Sequence, residues 1–206
     1  MQSKPTVYVV DDDEGARKSV RALVRSMGVN SESFPSAEDF LEQFDARKPG
    51  CLVTDLRMEG MSGVELQEKL VANGCHLPVI LITAHAETSI TVQAVKTGAV
   101  TVLEKPCREF ELFDAIESAL AQDAKFREAA ASHQDFYRKL ESLSPAEKSV
   151  LDYMMEGMAN KVIARRLEVS IRTVENRRQR VFEKTGTDSL AELVRLVVET
   201  RAIACQ

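Results

Sequence analysis

The rhythm of apolar positions changes once along this chain, near residue 107. Before that point, short β-rich runs alternate with stretches of helical spacing; beyond it, only helical spacing remains. Thr6–Val10 (TVYVV), Cys51–Thr54 (CLVT), Val79–Thr83 (VILIT) and Thr101–Leu103 (TVL) read as strands, with a weaker one at Ser31–Phe34. Apolar runs such as VILI suit strands covered on both faces, as in parallel sheets. Helical patterns occupy about 14–27, 36–46, 63–73, 87–97 and 107 onward. Five strand–helix repeats predict an α/β domain with a flavodoxin-like, doubly wound, five-stranded parallel sheet in the order 2-1-3-4-5. Right-handed crossovers place its helices on both faces.

From 107 the helical pattern has no clean end. Phe110, Phe113, Ile116 and Leu120 lie at roughly helical spacing, and 121–142 contains neither Gly nor Pro. Two readings stay open: a helix running on into an interdomain linker, with a break near Ser132–His133, or an ordinary last helix followed by a disordered tether. The remainder predicts an all-α, four-helix domain. Ser144-Pro145-Ala146-Glu147 is a helix start: Ser144 caps, Pro145 suits the first helical position, and Glu147 reaches back to the cap. That helix runs to about Glu156, before Gly157. Shorter ones follow at about Asn160–Leu167 and Ile171–Lys184, and a last begins near Asp188–Ser189, with Leu190, Leu193, Val194 and Val197 on one face. The expected division is 1–122, a helical linker at 123–142, and 143–206.

Composition narrows the function classes. The chain has 206 residues, 44% hydrophobic and 29% charged, which fits a folded globular protein rather than a disordered one. No apolar run approaches the ~20 residues that span a bilayer, and the N-terminus lacks a secretory pattern. A cytoplasmic protein with no membrane partner is expected. Cys51, Cys75, Cys107 and Cys205 form no C-x-x-C pair, so reduced, structural cysteines are expected. Charge is uneven: 144–206 carries a net +2 and the rest −7, while 161–184 alone carries +5. Such asymmetry suggests different partners for the two parts.

The candidate chemistry of the first part lies at strand ends. In a doubly wound sheet the functional crevice lies beyond the carboxyl ends of the strands. Asp11 and Asp12 follow the first strand, Asp55 the third and Lys105 the fifth, while Thr83 ends the fourth. Clustered carboxylates repel one another, and a hard divalent cation such as Mg²⁺ relieves that repulsion. An ammonium and a hydroxyl complete a set suited to phosphoryl transfer onto a carboxylate.

VVDDD (9–13), VTDLRM (53–58), MSGVEL (61–66), LITAH (81–85), TGAV (97–100) and EKP (104–106) resemble the receiver domain of two-component response regulators, the FixJ type in particular. The resemblance implies that Asp55 accepts a phosphoryl group from a sensor histidine kinase. It implies Mg²⁺ held by Asp11, Asp12, Asp55 and the main-chain carbonyl of Arg57, with Thr83 and Lys105 sensing the phosphate. A cis Lys105–Pro106 bond is also expected. The sequence departs from the family at three places: Val102 occupies the switch aromatic position, Cys107 stands for a usual Phe, and Glu59 for a frequent Pro. Arg57 and His85, two residues past Asp55 and Thr83, are candidates for setting phosphate lifetime.

LSPAEKSVL (143–151), EGMANKVIARRLEVSIRTVENRRQRVFEKTG (156–186) and LAELVRL (190–196) resemble the LuxR/NarL-type helix-turn-helix domain. By that resemblance Glu175, Asn176 and Gln179 face base edges of double-stranded DNA. Lys161, Arg172, Thr173, Arg177, Arg178 and Lys184 are expected on phosphates. Arg177 takes a common His position, and Ala159 replaces a frequent capping Ser or Thr.

The combined expectation is a phosphorylation-dependent transcription regulator, an enzyme only in its own Mg²⁺-dependent phosphorylation and dephosphorylation. It would form a homodimer through about 87–104 on phosphorylation, with RNA polymerase a further candidate partner. The alternative is a phosphorylation-independent DNA-binding regulator whose receiver serves only for dimerisation. A phosphatase reading would want a second catalytic Asp two residues beyond Asp55, where Arg57 stands.

Overall fold

The computed structural model describes residues 4–84 and 88–204, with backbone alone for 88–91 and 201–204. Two compact units divide the chain, Met1–Arg127 and Glu128–Gln206.

In the first unit, β1 (Thr6–Val10), β2 (Asn30–Phe34), β3 (Gly50–Asp55), β4 (Val79–Thr83) and β5 (Thr101–Glu104) form one sheet. The helices between them are α1 (Glu14–Ser26), α2 (Ala37–Gln43), α3 (Gly63–Ala72) and α4 (Thr88–Lys96), and α5 (Glu109–Glu141) follows β5. The order is β2-β1-β3-β4-β5, all parallel. Successive strand side chains point to opposite faces. Tyr8, Val10, Leu52 and Leu81 therefore join one core with residues of α2, α3 and α4. Val7, Val9, Val53, Ile80 and Ile82 join a second core with α1 and α5. β1, β3 and β4 are buried along almost their whole length, which is why they read as continuous apolar runs. β2 lies at an edge with alternating exposure, which accounts for its weak signal.

Helix α5 buries part of the stripe its spacing suggests, since Ile116 and Leu120 pack in the second core while the two aromatics do not. Leu112, Ala115, Ile116 and Ala119 are buried against the sheet, whereas Phe110 is 58% exposed and Phe113 is also exposed. Arg108 covers the Phe110 ring at 5.9 Å. The buried stripe continues to Asp123, whose carboxylate accepts from Gly50 N–H and from Arg127 Nε, both at 2.9 Å. Arg127 in turn donates to the main-chain carbonyls of Ala46, Arg47 and Lys48. Phe126 stacks on His76 with ring centroids 4.0 Å apart. These contacts hold the helix against the loops that open β3 and β4. The helix passes through Ser132–His133 without the expected break, and from Glu128 it belongs to the second unit.

The second unit adds α6 (Pro145–Met155), α7 (Asn160–Arg166), α8 (Ile171–Thr185) and α9 (Leu190–Ala204). Its core joins Phe136 and Leu143 to Val150, Leu151, Met154, Ile163, Ala164, Val174, Val181, Leu193 and Val197. The Ser144–Glu147 capping box starts α6 with Pro145 in its first turn. Buried Glu147 also accepts from Lys184 Nζ at 2.7 Å, tying the start of α6 to the end of α8. Ala159 starts α7 without a side-chain cap, as its residue type dictates. Gly186 closes α8 in the left-handed region. Cys51, Cys75 and Cys107 are free thiols, and Cys205 lies outside the described residues. No described helix is long and apolar enough to cross a membrane.

Two expectations follow. Gly63 opens α3, its N–H bonded to Leu56 O at 3.1 Å. A Cβ there would overlap the main-chain oxygen of Asp55 and press on Leu81 Cδ2. Gly63→Ala should therefore destabilise the first unit by about 1–3 kcal/mol in urea unfolding. In the second unit, the Lys184 hydrogen bond, then the backbone N–H of Ser144, hold the Glu147 carboxyl down at about 2, against an ordinary 4.5. A depressed carboxyl stabilises the fold above its unfolded pKa and loses that contribution as pH falls through the folded one. Thermal melts of Glu147→Gln should thus show a deficit against the parent at neutral pH. That deficit should shrink between about 4.5 and about 2; a deficit constant across this window would assign it to packing instead.

Candidate functional site

The carboxyl ends of four adjacent strands bring the acidic residues together. Asp11 and Asp12 leave β1, Asp55 ends β3, Thr83 ends β4, and Lys105 follows β5. One carboxylate oxygen from each of Asp11, Asp12 and Asp55 falls within a cluster whose atoms lie within 4.8 Å of one another. Asp11 is buried, Asp55 half-buried and Asp12 exposed, so the cluster opens toward solvent.

Local bonds fix each member. Asp11 Oδ1 accepts from Asp13 N–H at 2.8 Å, and its main-chain oxygen accepts from Arg17 at 2.6 Å. Asp12 Oδ2 accepts from Glu59 N–H at 3.1 Å, joining the β1 end to the loop after Asp55. The Thr54 hydroxyl donates to Asp55 O at 3.1 Å. Lys105 N–H donates to Thr83 O at 2.7 Å, and the Lys105–Pro106 peptide is cis, as expected. From that position the Lys105 ammonium lies 2.9 Å from Asp11 Oδ2 and 3.2 Å from Asp55 Oδ1.

The electrostatics follow from burial and neighbours. Desolvation raises the Asp55 carboxyl above its ordinary range, opposed by Lys105 and reinforced by the Asp11 charge. Burial pulls Lys105 down, but the Asp11 hydrogen bond and the charges of Asp11 and Asp55 outweigh it and raise the ammonium. Three carboxylates thus face one ammonium, a donor set of hard oxygens that suits Mg²⁺. Thr83 is buried. Val102 is partly buried against the core shared with α3 and α4. Arg57 is exposed, and His85 lies outside the described residues.

Sequence reading missed three contributors. Arg17 anchors the Asp11 main chain, Gly63 admits the close approach of Asp55 to α3, and the Glu59 N–H restrains Asp12. The first two had local signals: an Arg one turn and a half past the acidic pair, and a Gly just inside a helix start. The third is a backbone group, invisible to residue type.

In the second unit, α7 and α8 form the helix-turn-helix. Glu168, at φ 54°, supplies the left-handed residue of the turn. Ser170 Oγ accepts from Thr173 N–H at 3.0 Å and contacts the Thr173 hydroxyl at 2.8 Å. Val174, Val181 and Thr185 bury one side of α8. Arg172, Glu175, Asn176, Gln179 and Arg180 are exposed, Arg177 and Arg178 are partly covered, and Lys161 is exposed on α7. Gln179 Nε2 donates to Glu183 at 2.9 Å. The Lys184 ammonium donates to Glu147 at 2.7 Å, where the end of α8 meets the start of α6.

Comparisons with known proteins agree with both units. Residues 7–117 match the response regulator receiver domain, and 141–197 match the bacterial regulatory proteins of the luxR family. The chain is 38% identical to the transcriptional regulatory protein FixJ of Bradyrhizobium diazoefficiens, over 96% of this chain and 97% of that protein. It is 37% identical to the transcriptional regulatory protein TdiR of Thauera aromatica, over 94% and 85% respectively. Among solved structures, the response regulator StyR superposes with a TM-score of 0.84 at 43% identity, covering 96% of this chain and all of that one. Full-length FixJ from B. japonicum gives 0.59 at 37% identity, covering 97% and 98%. The chain belongs to the two-component response regulators that pair a receiver domain with a luxR-family DNA-binding domain.

Proposed function

We propose that Asp55 accepts a phosphoryl group from a sensor histidine kinase and that this modification governs binding of double-stranded DNA by α8. One observation carries the reading: the Lys105 ammonium lies between Asp11 and Asp55 beside three clustered carboxylates. Asp55 Oδ attacks phosphorus as the phosphorus–nitrogen bond of a phosphohistidine breaks, and the imidazole leaves. Lys105 offers its charge to the phosphoryl oxygens, and the Thr83 hydroxyl, at the adjacent strand end, completes the sensing pair. Asp11, Asp12, Asp55 and the Arg57 carbonyl would hold Mg²⁺, which supplies charge neutralisation at those oxygens. In this reading residues 1–122 receive the signal, 143–206 read DNA, and the helical segment 123–142 connects them, acting in the cytoplasm.

Phosphorylation shifts an equilibrium between receiver conformations. The face from about 87 to 104 then pairs two receivers, supported by the exposed Val92 and Val95 of α4. Pairing brings two recognition helices to two half-sites. Glu175, Asn176 and Gln179 read base edges, while Lys161, Arg172, Thr173, Arg177 and Arg178 hold phosphates. Lys184 reaches phosphate only while shared with Glu147. Transcription is then raised or lowered, with RNA polymerase as the final partner. Val102 favours a second reading, phosphorylation-independent binding, because a valine has no ring to swing.

Acetyl phosphate with Mg²⁺, followed by intact mass, separates the two. The parent should gain one phosphoryl group and Asp55→Asn none; a parent that stays unmodified would leave only the second reading. Arg57 and His85 then set the lifetime by shielding the acyl phosphate or orienting its hydrolytic water. Arg57→Ala and His85→Ala should change its half-life, and unchanged decay in both would remove that role.

A further inference from the structure

On the exposed side of α8, one aliphatic residue stands apart. Ile171, the first residue of α8, is 45% exposed, although the helix buries Val174, Val181 and Thr185 elsewhere. A single exposed apolar side chain is ordinary by itself. Its alignment is not. Residues four apart share a helix face, so Ile171, Glu175 and Gln179 form one ridge, on which the last two are the proposed base readers. The helix does not need isoleucine there: Ser170 already caps it, and Ala or Pro would suit the first turn better. Arg172, beside it, is exposed and charged.

A recognition helix enters the major groove with its N-terminal residues against base edges. Among the groups displayed in that groove, the C5-methyl of thymine is the apolar one. Isoleucine neither donates nor accepts a hydrogen bond, so a thymine methyl is the base feature it is able to select. We propose that Ile171 is a specificity-determining residue that packs on the methyl of a thymine in each half-site, one turn along the helix from the base met by Glu175. The inference rests on the reading that α8 is the DNA-recognition helix.

The test separates that reading from its refinement. Full-length protein treated with acetyl phosphate and Mg²⁺ selects duplexes from a random library. Each thymine of the selected site is then replaced singly by deoxyuridine, which removes only the methyl. At one thymine per half-site the replacement should weaken the parent about fourfold, the value of one buried carbon group. At that position Ile171→Ala should bind the thymine and deoxyuridine duplexes equally, and Ile171→Val should keep part of the preference. Because the side chain is exposed, both variants should melt like the parent. If no thymine shows a methyl preference that Ile171→Ala abolishes, the inference fails, even where Glu175→Ala alters the selected sequence. If no sequence is selected and Glu175→Ala changes nothing, the reading of α8 itself fails.

Discussion

Mutual repulsion among Asp11, Asp12 and Asp55 is the constraint on which the first unit is organised. Their carboxylates lie within a few ångströms, and burial of Asp55, with the Asp11 charge beside it, raises the Asp55 carboxyl. Lys105 answers part of that repulsion through two close contacts. The balance left over is negative and favours a hard cation. This unrelieved negative charge gives the cluster its capacity for a cation, since a fully compensated one would hold a metal poorly.

Holding such a cluster requires a rigid frame. The sheet supplies it because β1, β3 and β4 are buried on both faces, packed between two apolar cores. Gly63 lets α3 start directly against the Asp55 carbonyl, and Arg17 and Glu59 restrain the two β1 aspartates from either side. At the other end of β3, Asp123 and Arg127 knot α5 to the 46–50 backbone. Asp123 is buried while Arg127 is partly exposed, and nearly every guanidinium donor has a carbonyl or carboxylate to meet. The helix that continues from this unit is thereby fixed where it leaves the sheet.

The DNA-reading unit follows another logic. Its core is mainly apolar, with Thr185 and Thr187 buried against each other through their hydroxyls, and further polar anchoring sits at helix ends: the Ser144–Glu147 box, the Ser170 cap and the left-handed Gly186. Glu147 serves both the cap of α6 and the ammonium of Lys184. A residue of either charge near a recognition helix is therefore not automatically a ligand for DNA. The surface of α8 that stays free of such duties is the ridge of Ile171, Glu175 and Gln179 with the arginines around it.

The sequence alone determined the alternation of strand and helix, the sheet order, the capped starts of α6 and α8, and the placing of five functional groups at four strand ends. All of these are encoded in local periodicity, turn residues and motifs. Edge strand β2 was faint because only alternate positions are covered. Tertiary structure decided the rest. Phe110 and Phe113 fit a helical stripe, yet the sheet packs on Leu112, Ala115, Ile116 and Ala119, since several rotations of α5 offer an apolar face and only contact chooses among them. Helical spacing likewise left the course of α5 past Ser132 open. Lys184 carries a positive charge like its neighbours, but Glu147, 37 positions earlier, claims it. Asp11 and Lys105 are 94 positions apart and meet only once the strands align. Periodicity reports what each segment is; distances between segments come from closing the chain on itself, and the chemistry depends on those distances.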